Sequence, residues 1–323
     1  TNDENYIIAV PTTELIENKC YPAKDTNGNV KFWKKHERRA GLSPVVDNLF
    51  GLYGNFTLEL KKKLKDYLSS VGVKKIICTY DKIDKLMEFI IPKDFKLTID
   101  EYHNFLKQYS FRDKAINGVL AHFKEFKSYC FLSATPISND LKPAIFNDIP
   151  EYIANWNTTD EITVYPYHTN TPYMIAAKFI KTYQTKGSLN VNGIESKEAY
   201  FFINSVTEIK AILKQTQLTE DDYRIICADN PKNRRTLEGY TISSSTDAPK
   251  KFNFITSKSF EGVDFHSETG LCFVVSNVQN RHTLVSIDMD IPQIVGRIRT
   301  KSNPFRNKVV HIFNTKATDH YTT

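Results

Sequence analysis

The 323-residue sequence lacks the cysteine usage of a disulfide scaffold. Its five cysteines (Cys20, Cys78, Cys130, Cys227, Cys272) are far apart and form no CxxC pair, which argues against a structural zinc site as well. Four of them sit in apolar runs that read as strands, where a free thiol behaves as a small hydrophobe. A reducing, cytoplasmic compartment is the expectation. No apolar run approaches the ~20 residues of a membrane helix, and the start, Thr1-Asn-Asp-Glu-Asn5, has no basic-then-apolar signal segment. Internal repeats and low-complexity tracts are also missing. What is present is ordinary for a globular protein: 41% hydrophobic and 25% charged residues exclude wholesale disorder. At roughly 150 residues per domain the length suggests two domains. The net charge of +6 is compatible with a polyanionic partner but does not by itself establish one.

Short apolar runs separated by polar segments recur throughout. The first group is Tyr6–Val10, Lys75–Thr79, Phe95–Ile99 and Tyr129–Leu132; the second is Ala199–Ile203, Arg224–Ala228, Phe252–Ile255, Leu271–Val275 and Val309–Phe313. They are near-continuous rather than alternating, as strands of a parallel sheet covered on both faces are. Between them Phe56, Leu60, Leu64 and Leu68 recur every four residues, as do Phe111, Ala115, Val119 and Phe123, and Val206, Ile209 and Leu213 follow helical spacing. This alternation predicts an α/β fold with mostly parallel sheets. The stretch Asn147–Asn170 separates the two groups, giving expected domains over 1–155 and 156–323.

Asp100-Glu-Tyr-His103 directly follows the strand Phe95–Ile99. Open α/β sheets bind ligands at the carboxyl ends of their strands. An adjacent acid pair there suits phosphoryl chemistry, one carboxylate holding magnesium and the other orienting a water, although a solvated turn has the same composition. Ser133-Ala-Thr-Pro136 follows the next strand on the same sheet edge. In the second half, Thr256 to Asp264 follows the strand ending at Ile255. Asp290-Ile-Pro-Gln293-Ile-Val-Gly296-Arg297-Ile-Arg299 reads as a helix start that places Gln293, Gly296 and Arg297 near one face. A glycine inside a helix costs about 1 kcal/mol, so Gly296 suggests a close approach to the backbone. An arginine beside it can hold a phosphate or form a surface salt bridge.

In this order the segments resemble the motif series of superfamily 2 helicases and translocases of the DExH type. Ile8-Ala-Val-Pro11-Thr12-Thr13 resembles motif Ia, and Cys78-Thr79-Tyr80-Asp81 the next nucleic-acid motif. Asp100-Glu101-Tyr-His103 resembles motif II, Ser133-Ala134-Thr135 motif III and Tyr200-Phe-Phe-Ile-Asn204-Ser205 motif IV. Thr256 through Asp264 resembles motif V, and Gln293-Ile-Val-Gly296-Arg297-Ile-Arg299 motif VI. Around motifs II, V and VI the sequence looks most like phage and viral replication helicases, including origin-binding-protein-like ones, which implies a bacterial cell or phage-infected host.

The resemblance implies two RecA-like domains, ATP with Mg2+ in the cleft between them, and a nucleic-acid strand across both, DNA rather than RNA. Asp100 would hold magnesium through water and Glu101 would position the attacking water. His103 and Gln293 would lie near the nucleotide, and Gly262 and Asp264 would line its pocket. Arg297 and Arg299 would reach the γ-phosphate, a role typically worth about 10³–10⁵ in rate. Ser133 and Thr135 would couple nucleotide to strand, and Pro11, Thr12, Thr79, Asn204 and Thr256 would contact the nucleic-acid backbone.

The chain departs from the family twice. It contains no G-x-x-x-x-G-K-[ST] phosphate loop, which the family places one strand and one helix before motif Ia. That strand–loop–helix unit needs roughly 25–30 residues. The expectation is a first domain that is N-terminally incomplete, a piece of a longer protein; true loss of the loop is the alternative. The two motif VI arginines are also two apart rather than three, with Thr300 following, so either could be the finger. A non-hydrolysing nucleic-acid clamp and a restriction-system translocase are the rival functions. Lys31 to Arg39, with Phe32 and Trp33 among the basic residues, reads either as a nucleic-acid grip or as an insertion whose aromatics pack on the domain.

Overall fold

The structure, a computed structural model, describes residues 3–22, 33–134, 137, 139–154, 161–260 and 263–316. The chain divides into two compact units, Thr1–Asn157 and Thr158–Thr323.

In the first unit the strands are β1 (Asn5–Val10), β2 (Gly41–Leu42), β3 (Leu49–Leu52), β4 (Lys75–Thr79), β5 (Phe95–Asp100) and β6 (Ser128–Leu132). They form one sheet in the order β2-β3-β4-β1-β5-β6. Only the β2–β3 pair is antiparallel. The helices are α1 (Thr13–Cys20), α2 (Leu58–Ser69), α3 (Ile83–Leu86) and α4 (Asn104–His122). Leu60 and Leu64 of α2, Ile83 and Leu86 of α3 and Ile116 and Val119 of α4 bury one face of the sheet against Ile7, Ala9, Ile76, Cys78, Leu97 and Ile99. On the other face α1 presents Ile16 and Cys20 to Val10 and Ile77.

Two expectations change here. Helix α4 begins at Asn104, seven residues before the periodic run at Phe111 that predicted it, with Phe105 already buried in its first turn. Strands β5 and β6 also alternate rather than bury both faces. Phe95, Leu97 and Ile99 point inward, whereas Cys130 is exposed and Leu132 is 49% exposed. Cys130 therefore differs from Cys78, Cys227 and Cys272, which are buried thiols.

In the second unit the elements are β7 (Thr163–His168), α5 (Pro172–Lys186), β8 (Leu189–Val191), β9 (Ile194–Ser196), β10 (Glu198–Phe202), α6 (Val206–Thr216), β11 (Tyr223–Ile226), α7 (Pro231–Thr236), β12 (Ile242–Ser243), β13 (Phe252–Ile255), β14 (Gly270–Val275), α8 (Asp290–Val295) and β15 (Lys308–Phe313). Seven strands form a sheet in the order β12-β11-β13-β10-β14-β15-β7, with every pair parallel. Strands β10, β11, β13 and β14 are covered on both faces, as their continuous apolar runs predict. Helices α5 and α6 pack Ile180, Ile209 and Leu213 against Phe201, Phe254 and Phe273. Helix α8 packs Ile291 and Ile294 on the opposite face with Tyr200, Phe202 and Phe265. Strand β7 lies within the stretch expected to separate the domains. It carries Pro166 and pairs with β15 alone, the edge position where a proline loses no ladder bond. Among the described residues no helix is long and apolar enough to cross a membrane.

Candidate nucleotide and nucleic-acid sites

In the first unit the parallel register brings the ends of β1, β4, β5 and β6 to one edge of the sheet. Val10 pairs with Thr79, Ile99 with Phe131, and Asp100 with Leu132. Pro11 and Thr12 therefore lie beside Thr79, and the acid pair beside Ser133. Thr12 precedes α1 but its side chain makes no capping bond. Its hydroxyl oxygen is buried with no hydrogen-bond partner.

Asp100 ends β5, and Glu101 then takes a left-handed backbone with φ of 53°, a conformation that side chains other than glycine, asparagine and aspartate rarely adopt. The Glu101 N–H donates to Asp100 Oδ1 at 3.1 Å. Burial raises the Asp100 carboxyl above its ordinary value, against the opposing pull of that N–H, Lys19 and His103. His103 is buried, its Nδ1 2.8 Å from Ser133 Oγ and 3.3 Å from Glu101 Oε2. Asp100, Glu101, His103 and Ser133 thus form one connected cluster, and Thr135 lies outside the described residues.

The basic stretch is built into this unit. Trp33 meets Tyr21 edge-on at 5.2 Å, and Arg38 is buried with its guanidinium 2.5 Å from Glu17 Oε2. Packing, rather than an open grip on phosphates, accounts for both side chains. Lys31 and Phe32 lie outside the described residues.

In the second unit a pocket of about 480 Å³ opens at the carboxyl ends of β10, β11 and β13. Asn204 and Thr256 line it together, with the first turn of α6, Lys232 and Asn233 of α7, and His282. Ser205 caps α6, accepting from the Glu208 N–H. The positive end of that helix dipole faces the pocket, an arrangement suited to an anion. Glu208 is the one acid among the residues lining this pocket; burial raises its carboxyl, opposed by His282. The Asn204 amide is engaged internally: it donates to the His282 carbonyl at 2.6 Å and accepts from the Ser257 hydroxyl at 2.7 Å. It braces the pocket wall. Lys232 and His282 are not among the residues the motifs single out. The signal for Lys232 was the Asn230-Pro231 helix start followed by basic residues; His282 has no sequence signal.

Beyond Val263 the chain runs beside residues 297–299. The Phe265 N–H donates to the Arg297 carbonyl at 2.7 Å and the Arg299 N–H to the Phe265 carbonyl at 2.9 Å. This zip sets Arg299 Nε 2.7 Å from Asp264 Oδ1, an ion pair with both side chains more than 40% exposed. Arg297 is instead buried and folded onto its own helix, donating to the Gln293 carbonyl at 2.7 Å and to Gln293 Oε1 at 3.1 Å. Gly296 ends α8 rather than lying inside it, and the nearest atom to an added Cβ there is the Pro292 carbonyl oxygen of the same helix. The close approach expected from its position is therefore local. Gly262 lies outside the described residues.

Solved structures share this arrangement of strands and helices. That of S. cerevisiae Dbp5 bound to RNA and ADP BeF3 matches 97% of this chain and 72% of its own, with TM-score 0.54 and 12% identity. That of Mycobacterium smegmatis helicase Lhr bound to ssDNA and AMP-PNP matches 97% of this chain and 40% of its own, with TM-score 0.53 and 11% identity. The chain shares the fold of these two structures, two RecA-like domains. No protein-family model and no curated protein sequence matches it.

Proposed function

We propose that the chain is the motor core of an ATP-dependent helicase or translocase of the DExH type, moving along DNA. The observation that carries this reading is the cluster at the carboxyl ends of β5 and β6, where Asp100, Glu101, His103 and Ser133 come together. The preference for DNA rests on the sequence resemblance to phage and viral replication helicases. Both neighbouring structures hold a nucleotide analogue, and their strands are RNA in one and ssDNA in the other.

On this reading Asp100 would hold Mg2+ through water, and the ion would neutralise charge on the phosphates. Among the described residues no three His, Cys, Asp or Glu side chains form a metal cage. A lone carboxylate fits magnesium, which keeps most of its ligands as water and phosphate oxygen. Glu101 orients the attacking water, with its carboxylate placed by the His103 contact. Arg299, the exposed arginine of its pair, is the finger, whereas Arg297 holds Gln293 in position. The pocket at Asn204, Thr256, Lys232 and the α6 N-terminus takes a backbone phosphate of the strand, and Pro11, Thr12 and Thr79 take another.

The test is ATP turnover by Glu101→Gln in the full-length protein. The reading requires that turnover disappears while oligonucleotide binding stays; normal turnover would sink the acid-box assignment. One observation favours a second reading, a clamp that binds nucleic acid without hydrolysis: the sequence contains no G-x-x-x-x-G-K-[ST] to grip the β- and γ-phosphates. Salt-sensitive oligonucleotide binding that is indifferent to ATP would select it.

A further inference from the structure

Two residues of the first unit depart from the backbone their surroundings would impose. Glu101 is left-handed, with φ of 53°. Arg112 interrupts α4 with φ of −132° and ψ of 23°. Helix kinks have identifiable causes, most often proline or paired small residues. Helix α4 contains no proline, and its one glycine is Gly118. At this break the Arg112 side chain reaches out of the helix to other elements.

Tyr80 joins the two positions. It follows β4, is fully buried, and its hydroxyl donates to the backbone carbonyls of Asp100 and, at 3.2 Å, Glu101. Its ring is edge-on to Phe105 at 5.2 Å, in the first turn of α4. The Arg112 guanidinium lies over the same ring at 5.8 Å. It donates to the Pro11 carbonyl and, at 2.7 Å, to Gln108 Oε1, and comes within 4.0 Å of Asp81. Burial pushes the Asp81 carboxyl up, but Lys82, Thr79 and Arg112 together hold it below its ordinary value, so it is a counter-charge. A continuous set of contacts thus runs from the end of β1 through Arg112 and Tyr80 to the acid pair. Strained backbone persists only where its surroundings over-determine it.

We propose that Tyr80 is a positioning residue that holds Glu101 in its left-handed backbone, and that Arg112 ties this clamp to the Pro11 strand end. The proposal rests on the reading of Asp100 and Glu101 as the acid box. Tyr80 touches no reacting atom; it fixes the direction from which the Glu101 carboxylate leaves the chain. A displacement of about 1 Å there costs as much as a hundredfold in rate.

The experiment compares wild type, Tyr80→Phe, Arg112→Met, the double variant and Glu101→Gln in the full-length protein. The readouts are single-stranded-oligonucleotide-stimulated ATP hydrolysis and amide hydrogen exchange over residues 98–106. Tyr80→Phe is expected to lower kcat at least tenfold with KM for ATP within twofold. It also quickens exchange at residues 101–105 at least tenfold while leaving β10 and β14 unchanged. A kcat within twofold of wild type, or a loss carried by KM, overturns the positioning role. The double variant is expected to lose no more than the worse single variant, and multiplied losses overturn the tie through Arg112. Should Tyr80→Phe not fold, Arg112→Met decides alone, and unchanged exchange at 101–105 overturns the clamp. If wild type does not hydrolyse ATP, or Glu101→Gln does, the hydrolase reading fails. Exchange then decides on the clamp by itself, quickened exchange in Tyr80→Phe supporting it and unchanged exchange overturning it.

Discussion

His103 Nδ1 lies 2.8 Å from the Ser133 hydroxyl oxygen. One hydrogen bond therefore joins the segments that follow two neighbouring strands, 30 residues apart in the chain. Ser133→Ala removes it and leaves the buried His103 Nδ1 with the longer Glu101 Oε2 contact at 3.3 Å. A loss of about 0.5–1.5 kcal/mol is expected, measured as a lower urea midpoint at unchanged m-value.

Asp100 is a carboxylate held against its own preference. Burial raises its folded-state pKa above the unfolded value. The native chain then binds more protons in that window, so the contribution of Asp100 to stability falls as pH rises through it. Asp100→Asn should therefore melt higher than wild type at pH 7. The gap should narrow as pH falls toward the ordinary Asp value of about 3.9 and be gone below it. Thermal melts across pH 3–8 check the sign; a lower melting temperature for the variant at pH 7 contradicts it.

Lys232 is the exposed cation on the wall of the second unit's pocket. If it meets a phosphate, Lys232→Ala weakens oligonucleotide binding by a similar factor for every sequence. It should also reduce the slope of log K against log salt by about 0.7–0.9. Fluorescence anisotropy over a salt series measures both.

Phe201 is fully buried and stacks on Phe273 at 4.7 Å and Phe254 at 5.6 Å, across β14, β10 and β13. Phe201→Ala opens a cavity in the middle of that row and should cost about 3–5 kcal/mol. Urea unfolding followed by near-UV circular dichroism reads the loss.

Much of this architecture is legible in the sequence, and the exceptions have physical causes. The nine apolar runs all form strands; those at the centre of the second sheet are buried along their length and advertise themselves without alternation, whereas β5 and β6 alternate. Strand β7 escaped because an edge strand tolerates Pro166 and exposed side chains, which read as linker. The β8–β9 hairpin carries its signal openly in Asn192-Gly193, both left-handed, but its strands are only three residues long. The acid cluster was readable because its members follow strand ends of a parallel sheet, where register alone brings them together. Arg112 was not, since its partners Pro11 and Tyr80 lie 101 and 32 positions away in the chain. The spacing of Arg297 and Arg299 left the finger open; in the structure the first is buried and the second exposed.

The central claim is that one chain couples ATP hydrolysis to a nucleic-acid strand. The most direct measurement is the rate of ATP hydrolysis by the full-length protein as single-stranded DNA is added, for wild type and Glu101→Gln. The account predicts a rise of at least tenfold with DNA in wild type and none in the variant. A rate indifferent to DNA, or a Glu101→Gln protein as fast as wild type, would contradict it.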